Sequence, residues 1–297
     1  MATRAGFVAL VGVPNAGKST LLNALVGEKV SIVSPKVQTT RSRVTGIAIE
    51  GASQIVFVDT PGIFAPKRRI EKAMVEAAWS GAADADLVVA VVDCRSARDP
   101  EVAALLDGVV RSGRKTVLAL NKIDLVAKER LLAAASDLGA LYAFEAVFMI
   151  SAQTGDGVGD LKAHLAGALP EGPWLYPEDQ LTDMPERLMA AEITREKLFL
   201  QLEQELPYAA TVETEQWKDQ KDGSVRIEQA IFVRKDSQKA IVLGKGGARI
   251  KALGQAARLD MEAAFGRRVH LFLFVKVREN WPDDPERYRE MGLDFPK

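Results

Sequence analysis

One cysteine and two histidines are all the thiol and imidazole that 297 residues contain. Cys94 alone cannot close an intramolecular disulfide, so the fold rests on its apolar core, and a reducing, cytosolic compartment fits. Cys94 itself reads as a small residue at a strand end near the core. His164 and His270 stand far apart without ligand partners at metal-binding spacing, and both read as structural or surface residues. Aromatic residues make up only 6% of the chain, and Trp79, Trp174, Trp217 and Trp281 form no stacking array. Long apolar runs are also missing. Leu87–Val92 and Leu271–Val275 fall far below the ~20 residues of a membrane-spanning helix, and the start leads straight into a strand rather than a secretory signal. With a net charge of −1, overall charge points to no partner.

What is present is ordinary for a soluble globular protein, with 47% hydrophobic and 27% charged residues. The length is enough for two domains, each with its own core. Charge is unevenly spread. Between Arg234 and Arg278 eleven basic residues face three acidic ones, a net of +8 that leaves −9 for the rest of the chain. That window reads either as a solvated helix face or as a polyanion site.

Up to about Pro170, β-like apolar runs alternate with helical stretches. The strand candidates are Phe7–Val11, Gln54–Asp59, Leu87–Asp93, Lys115–Asn121 and Ala146–Ser151, and helical periodicity follows in Lys18–Leu25, Glu101–Val110 and Leu161–Leu169. This alternation predicts an α/β domain with a mostly parallel sheet and helices on both faces. Pro170, Gly172, Pro173, Pro177 and Pro185 mark a linker. Beyond it the pattern changes to a helix over Glu186–Leu206 and paired strands at Thr211–Lys218 and Val225–Arg234, joined by the hairpin signal Lys221-Asp222-Gly223. Helices near Gln238–Val242 and Gly247–Phe265 and a last strand over Arg268–Val277 complete the order α-β-β-α-α-β of a separate α+β domain.

Gly12-Val13-Pro14-Asn15-Ala16-Gly17-Lys18-Ser19 fits GxxxxGK[ST] between a strand and a helix, with Thr20 following. Such a loop turns backbone N–H groups onto phosphate oxygens, and the helix N-terminus adds about half a positive charge. Lys18 carries a full charge to the β and γ phosphates, and Ser19 offers its hydroxyl to Mg²⁺. Asp59-Thr60-Pro61-Gly62 places a carboxylate for Mg²⁺ and the Gly62 N–H for the γ phosphate. In Asn121-Lys122-Ile123-Asp124, Asp124 accepts two hydrogen bonds from guanine. Adenine would leave the carboxylate unpaired, at a cost of at least ~1–3 kcal/mol. Asn121 ties the base-binding loop to the P-loop, and in Ser151-Ala152-Gln153 the Ala152 N–H is expected to meet the guanine carbonyl oxygen. All four motifs fall at strand carboxyl ends, where open α/β sheets bind ligands.

This constellation resembles the translation-factor-class GTPases. The resemblance implies a switch threonine between the P-loop and DxxG, and Gln38-Thr39-Thr40-Arg41 supplies Thr40 as the Mg²⁺ ligand, with Thr39 the alternative. The metal set is then Ser19, Thr40 and Asp59, and the groups expected at the reacting phosphate are Lys18, Thr40, Gly62 and Asn15. Ras-like GTPases carry a water-orienting glutamine directly after DxxG. Here Ile63 stands there, so intrinsic hydrolysis is expected to be slow. Related GTPases with asparagine at the place of Asn15 hold K⁺ with it, which makes potassium stimulation an expectation; the alternative is that Asn15 only shapes the loop.

In the second domain, Gly244-Lys245-Gly246-Gly247 forms GxxG between two helices. In KH domains this loop clamps the backbone of single-stranded nucleic acid. Lys245, Arg249, Lys251, Arg267 and Arg268 are candidate phosphate contacts. A GTPase domain followed by a type II KH domain resembles the bacterial Era GTPases. Ala191-Glu192-Ile193, Arg195-Glu196-Lys197-Leu198, Glu205-Leu206-Pro207-Tyr208 and Leu243-Gly244-Lys245-Gly246-Gly247 also look like that family. On this resemblance the G domain covers 1–172, a linker 173–184, the KH domain 185–280 and a tail 281–297.

The resemblance further implies GTP/GDP and Mg²⁺ as cofactors and a slow GTPase that binds small-subunit rRNA near its 3′ end during maturation of the small ribosomal subunit. It also implies a cytoplasmic location with peripheral membrane contact. No amphipathic basic helix stands out as an anchor, and the tail Asp283–Lys297 reads as solvated and partly acidic. A monomer is expected. Two other readings are a nucleotide switch with negligible hydrolysis and a tandem-GTPase relative. The single copies of GxxxxGKS and NKxD speak against the latter.

Overall fold

The computed structural model describes residues 2–279 and 281–296; the expected boundaries at 1, 280 and 297 lie outside the described residues. The chain divides into two compact units. One holds Met1–Ser31, Thr40–Asp183 and Tyr288–Lys297, the other Ile32–Thr39 and Met184–Arg287.

In the first unit, six strands stand in the order β2-β3-β1-β4-β5-β6. They are β1 (Arg4–Val11), β2 (Val44–Glu50), β3 (Ser53–Asp59), β4 (Leu87–Asp93), β5 (Thr116–Asn121) and β6 (Ala146–Met149). All neighbouring pairs are parallel except β2 with β3. Every residue of β4 and β5 is buried, as central strands covered on both faces require, and their unbroken Val/Leu/Ala runs follow from that. The helices are α1 (Lys18–Val26), α2 (Arg69–Asp84), α3 (Pro100–Arg111), α4 (Lys128–Leu141) and α5 (Val158–Ala168).

The antiparallel edge strand β2 is not among the strands expected from the sequence. It turns back on β3 through Gly51 and Ala52, with Gly51 at φ 58°. The expected linker is also corrected. Residues 173–183 belong to the first unit, held by specific bonds. Gln54 Oε1 accepts the N–H of Leu175 (2.8 Å) and of Tyr176 (3.0 Å), Ile47 N–H donates to Leu181 O (2.8 Å), and Thr182 Oγ1 donates to Thr45 O (2.6 Å). The tail, expected to be solvated, is likewise corrected. Tyr288 is fully buried and Leu293 is 3% exposed, both packed against Ala73 and Met74 of α2.

The second unit carries α6 (Glu186–Gln201), β7 (Thr211–Asp219), β8 (Val225–Val233), α7 (Asp236–Leu243), α8 (Ala248–Phe265) and β9 (Val269–Val277). Its sheet runs β7-β8-β9, antiparallel then parallel. The Lys221-Asp222-Gly223 turn closes by Gln220 N–H to Ser224 O at 2.8 Å. Ala191, Leu198, Ile231, Val242 and Leu253 form one core cluster, and Met189, Ile193, Ile227, Ala257 and Met261 another. Residues 32–39 group with this unit, so the expected contiguous G domain is interrupted there. A further helix, α9 (Pro285–Glu290), lies within the tail.

Candidate nucleotide site and nucleic-acid loop

β1 ends at Val11 and α1 begins at Lys18, so Gly12–Gly17 form the loop between them. Gly17 sits at φ 98°, and a Cβ there would lie 2.3 Å from Asn121 Nδ2. Only glycine fits both the angle and the approach. Asn15 is also left-handed, at φ 62°. Lys18 is buried and its Nζ donates to Gly12 O (3.1 Å) and Val13 O (3.2 Å), so the ammonium lies across the loop. Burial lowers its pKa to about 8, partly offset by the charge of Asp59.

Ser19, Thr40 and Asp59 come together. Ser19 Oγ donates to Asp59 Oδ2 at 2.6 Å, lies 2.8 Å from Thr40 Oγ1, and Thr40 Oγ1 donates to Asp59 Oδ2 at 3.3 Å. Ser31, which no motif flags, adds a hydroxyl to the same oxygen at 3.3 Å. Thr39 faces elsewhere, its Oγ1 bonded to Lys36 O at 2.7 Å and 2.6 Å from Ser34 Oγ, so of the two threonines only Thr40 reaches Asp59. Asp59 is fully buried. Burial pushes its pKa up, while Lys18 and the hydroxyls of Ser19, Ser31 and Thr40 pull it down. Its Oδ1 is buried with no hydrogen-bond partner. A buried carboxylate oxygen left unpaired is costly. Hydroxyl and carboxylate oxygens are the donors that a hard divalent cation takes, so these residues fit Mg²⁺.

The DxxG segment packs on the P-loop. Ile63 N–H donates to Gly12 O (3.1 Å), Thr60 Oγ1 donates to Leu10 O (2.8 Å), and a Cβ on Gly62 would come within 2.9 Å of Pro14 N. The Ile63 side chain is buried.

At the base-binding end, Asn121 Nδ2 donates to Ala16 O at 2.9 Å, the expected tie between loops. Ala152 departs from expectation. Its N–H donates to Asn121 Oδ1 at 2.9 Å and is not left free for a purine carbonyl. Asn121 thus uses its whole amide as a brace, with two neutral hydrogen bonds at normal length. Lys122 is left-handed (φ 67°), and its Nζ reaches Asn15 O (2.6 Å) and Asp93 Oδ2 (3.0 Å). Asp124 is exposed on the short turn Ile123–Leu125, and among the described residues its carboxylate meets no side-chain partner. Ser151 is buried, with its carbonyl taking the Gly155 N–H at 2.8 Å, while Gln153 is exposed.

Asp93, at the end of β4, belongs to no motif, yet it organises this corner. It accepts from Arg95 Nη2 (2.6 Å), from the Arg95 N–H (3.0 Å) and from Lys122. Burial alone would raise its pKa. The Arg95 and Lys122 bonds outweigh that and hold it at about 2.

In the second unit, Gly244 (φ 72°), Gly246 (φ 58°) and Gly247 (φ 78°) form the turn between α7 and α8. Lys245, Arg249 and Lys251 are all exposed, and Arg249 also donates to Ile241 O at 2.7 Å. The basic window is not one patch. Arg267 sits past the far end of the 18-residue α8, ~27 Å of helix from the loop, bonded to Asp219 and Glu186. Arg258 pairs with Glu262 and Lys276 with Glu215. The structure therefore groups Lys245, Arg249 and Lys251 with GxxG but not Arg267 or Arg268.

Two family models match the chain: "50S ribosome-binding GTPase" over residues 7–122 and "KH domain" over 205–282. GTPase Era of Afipia carboxidovorans is 61% identical over 295 residues, covering 99% of this chain and 96% of that protein. The chain belongs to the Era GTPase family. GTPase Era of Rhizobium meliloti is also 61% identical, covering 99% of this chain and 94% of its own length. Two solved structures superpose with a TM-score of 0.93 at 36% identity, covering 98% of this chain and 99% of theirs: a point variant of Aquifex aeolicus Era bound to GDP·AlF4⁻, and Era in complex with MgGDPNP and nucleotides 1506–1542 of 16S ribosomal RNA. Membership makes the chain a GTPase, converting GTP and water to GDP and phosphate, with a P-loop GTPase domain followed by a KH domain. Among the described residues no helix is long and apolar enough to cross a membrane.

Proposed function

We propose that the chain is a slow, guanine-specific GTPase that binds single-stranded rRNA near the 3′ end of the small-subunit molecule during small-subunit maturation. The observation that carries the nucleotide part is the cluster of Ser19, Thr40 and buried Asp59 with its unpaired Oδ1. Its relative binds MgGDPNP and a 16S rRNA fragment on the same architecture at a TM-score of 0.93, and this supports the RNA part.

In this reading the N–H groups of Gly12 to Gly17 and the start of α1 at Lys18, Ser19 and Thr20 cradle the phosphates. Lys18 neutralises charge on the β and γ phosphates, and its depressed pKa recovers as phosphate charge replaces lost water. Ser19, Thr40 and Asp59 would hold Mg²⁺, which would supply charge neutralisation on the phosphates. The Gly62 N–H faces the γ phosphate. Asp124 selects guanine over adenine by two hydrogen bonds, and Asn121 and Lys122 keep its turn in register with the P-loop. Ile63 can neither donate nor accept a proton, so the attacking water is held by other groups. Asn15 with a bound K⁺ is one device that would do so. Gly244–Gly247 with Lys245, Arg249 and Lys251 hold the RNA backbone.

The test is multiple-turnover phosphate release with and without an RNA ending in the 3′ sequence of the small-subunit rRNA, in K⁺ and in Na⁺. Slow basal release, acceleration by that RNA and faster turnover in K⁺ are expected. Background release under all conditions would defeat the enzymatic reading, and equal rates in the two salts would remove the potassium device. Co-sedimentation with anionic vesicles tests peripheral membrane contact, and sedimentation velocity tests the monomer.

A further inference from the structure

Residues 32–39 lie between the P-loop helix and Thr40, yet they group with the second unit. Three charged groups hold them there, all on or against α6. Arg195 Nη2 donates to Thr39 O at 2.5 Å, one residue before Thr40. Lys36 Nζ donates to Phe199 O in the last turn of α6 and to Leu202 O just past its end, where the helix dipole favours a cation. Glu196 Oε1 accepts the Val33 N–H at 2.8 Å.

These anchors are themselves fixed. Arg195 is 2% exposed, forked onto Glu192 through Nε at 2.7 Å and through Nη2, and its guanidinium lies 5.2 Å from the Phe199 ring centre. Glu196 is 3% exposed and paired with Lys197, which is paired in turn with Asp260. Arg195 Nη1 is buried with no partner. Burying a charged guanidinium incompletely satisfied is unfavourable, and a fold that keeps one there holds its other donors in place. Between the anchors and Thr40, Gln38 has φ 59°. A left-handed non-glycine residue costs free energy and persists only when both flanks are held.

We infer that α6, with Arg195, Glu196 and Lys36, is a clamp on residues 32–39 that restrains the chain leading into Thr40, and that this restraint favours binding of GTP over GDP. Arg195 and Lys36 are positioning residues, not catalytic ones. They touch the backbone that carries Thr40 and no phosphate. With the clamp made, Thr40 Oγ1 lies 2.8 Å from Ser19 Oγ. With it broken, residues 32–40 gain freedom that a γ-phosphate state must restrict and a GDP state need not. The inference rests on the proposed role of Thr40 as a metal ligand.

The experiment compares the affinities of fluorescent GDP and of a non-hydrolysable GTP analogue, in Mg²⁺, for the full-length wild type and the variants Lys36→Met, Arg195→Ala, Arg195→Lys and Thr40→Ala. Lys36 is partly exposed, so its variant keeps the test alive if Arg195→Ala does not fold. Losing one charged anchor, which makes one or two such hydrogen bonds, gives at least about a tenfold loss of analogue affinity. The expected result is that Lys36→Met and Arg195→Ala show this loss with GDP affinity within about twofold of wild type, and that Arg195→Lys lies between. Hydrogen exchange in the analogue-bound protein, read on the peptide 32–39, should accelerate about tenfold in both. Equal losses for GDP and analogue would overturn the clamp in favour of a merely structural role. So would unchanged discrimination in Lys36→Met and Arg195→Ala alongside a loss in Thr40→Ala. Unchanged discrimination in Thr40→Ala would overturn the metal-ligand reading itself.

Discussion

Replacing Asp93 by asparagine tests whether the corner that holds Lys122 draws stability from an ionised carboxylate. Asp93 is 7% exposed and accepts four bonds from Arg95 and one from Lys122. Its pKa falls from 3.8 to about 2. A depressed carboxylate pKa means that the stabilisation is fully present above the unfolded value near 3.8 and is lost as pH drops through the folded value near 2. At about 1.36 kcal/mol per pH unit the ionised form contributes roughly 2 kcal/mol at neutral pH and about half of that at pH 3. Half of the Arg95 side chain is exposed, so the true figure lies at or below this. Urea unfolding of the nucleotide-free full-length protein and of Asp93→Asn, at pH 7 and pH 3, reads the difference directly. A gap of about 1–2 kcal/mol at pH 7 that halves at pH 3 is expected. A gap of the same size at both pH values would refute the argument, because an asparagine that merely packs badly loses the same contacts at every pH. The same variant should weaken guanine nucleotide binding, since Lys122 loses one of its two anchors.

Three further outcomes rest on the same geometry. Gly17→Ala places a methyl group 2.3 Å from Asn121 Nδ2 at φ 98°; nucleotide binding by calorimetry should fall below detection while the circular dichroism of the helices persists. Asp124→Asn should weaken GTP by about 1–3 kcal/mol, roughly 5- to 150-fold, and improve xanthosine triphosphate in competition assays; equal losses for both bases would argue against Asp124 as the base reader. Lys245→Ala should lower the salt slope of single-stranded RNA binding by about 0.7, whereas Arg267→Ala, beyond the far end of α8, should leave it unchanged.

Much of this protein is legible from local pattern. The P-loop, DxxG and NKxD are short because each serves one chemical group, so their spacing survives in one dimension. β1, β3, β4 and β5 are apolar runs that only a covered sheet explains, and GxxG in its α-β-β-α-α-β setting reads as a KH loop. Legibility fails where partners come from far along the chain. β2 carries no strong period, and its pairing with β3 makes it a strand. The proline-rich segment 173–183 looks free until Gln54 and Ile47 take its backbone groups. Eleven basic residues in one window suggest a patch, and their partners Glu186, Asp219, Glu215 and Glu262 disperse it. Ala152 looks available to a ligand because nothing local shows that Asn121 occupies its N–H.

Contiguous residues carry the motifs of the proposed chemistry: a phosphate loop, a carboxylate for a metal, an acidic residue for the base and a glycine loop for RNA, each written in residue types that such chemistry demands. They carry the sheet class as well, because burial on both faces leaves a pattern in every central strand. Folding alone brings Thr40 rather than Thr39 to Asp59, sets Asp93 against Lys122, packs Tyr288 and Leu293 on α2, and lays residues 32–39 along α6. Those contacts join groups from about twenty to more than two hundred residues apart. A hydrogen bond or a buried ring leaves no periodicity along the chain, so its partner becomes visible only once the chain has folded.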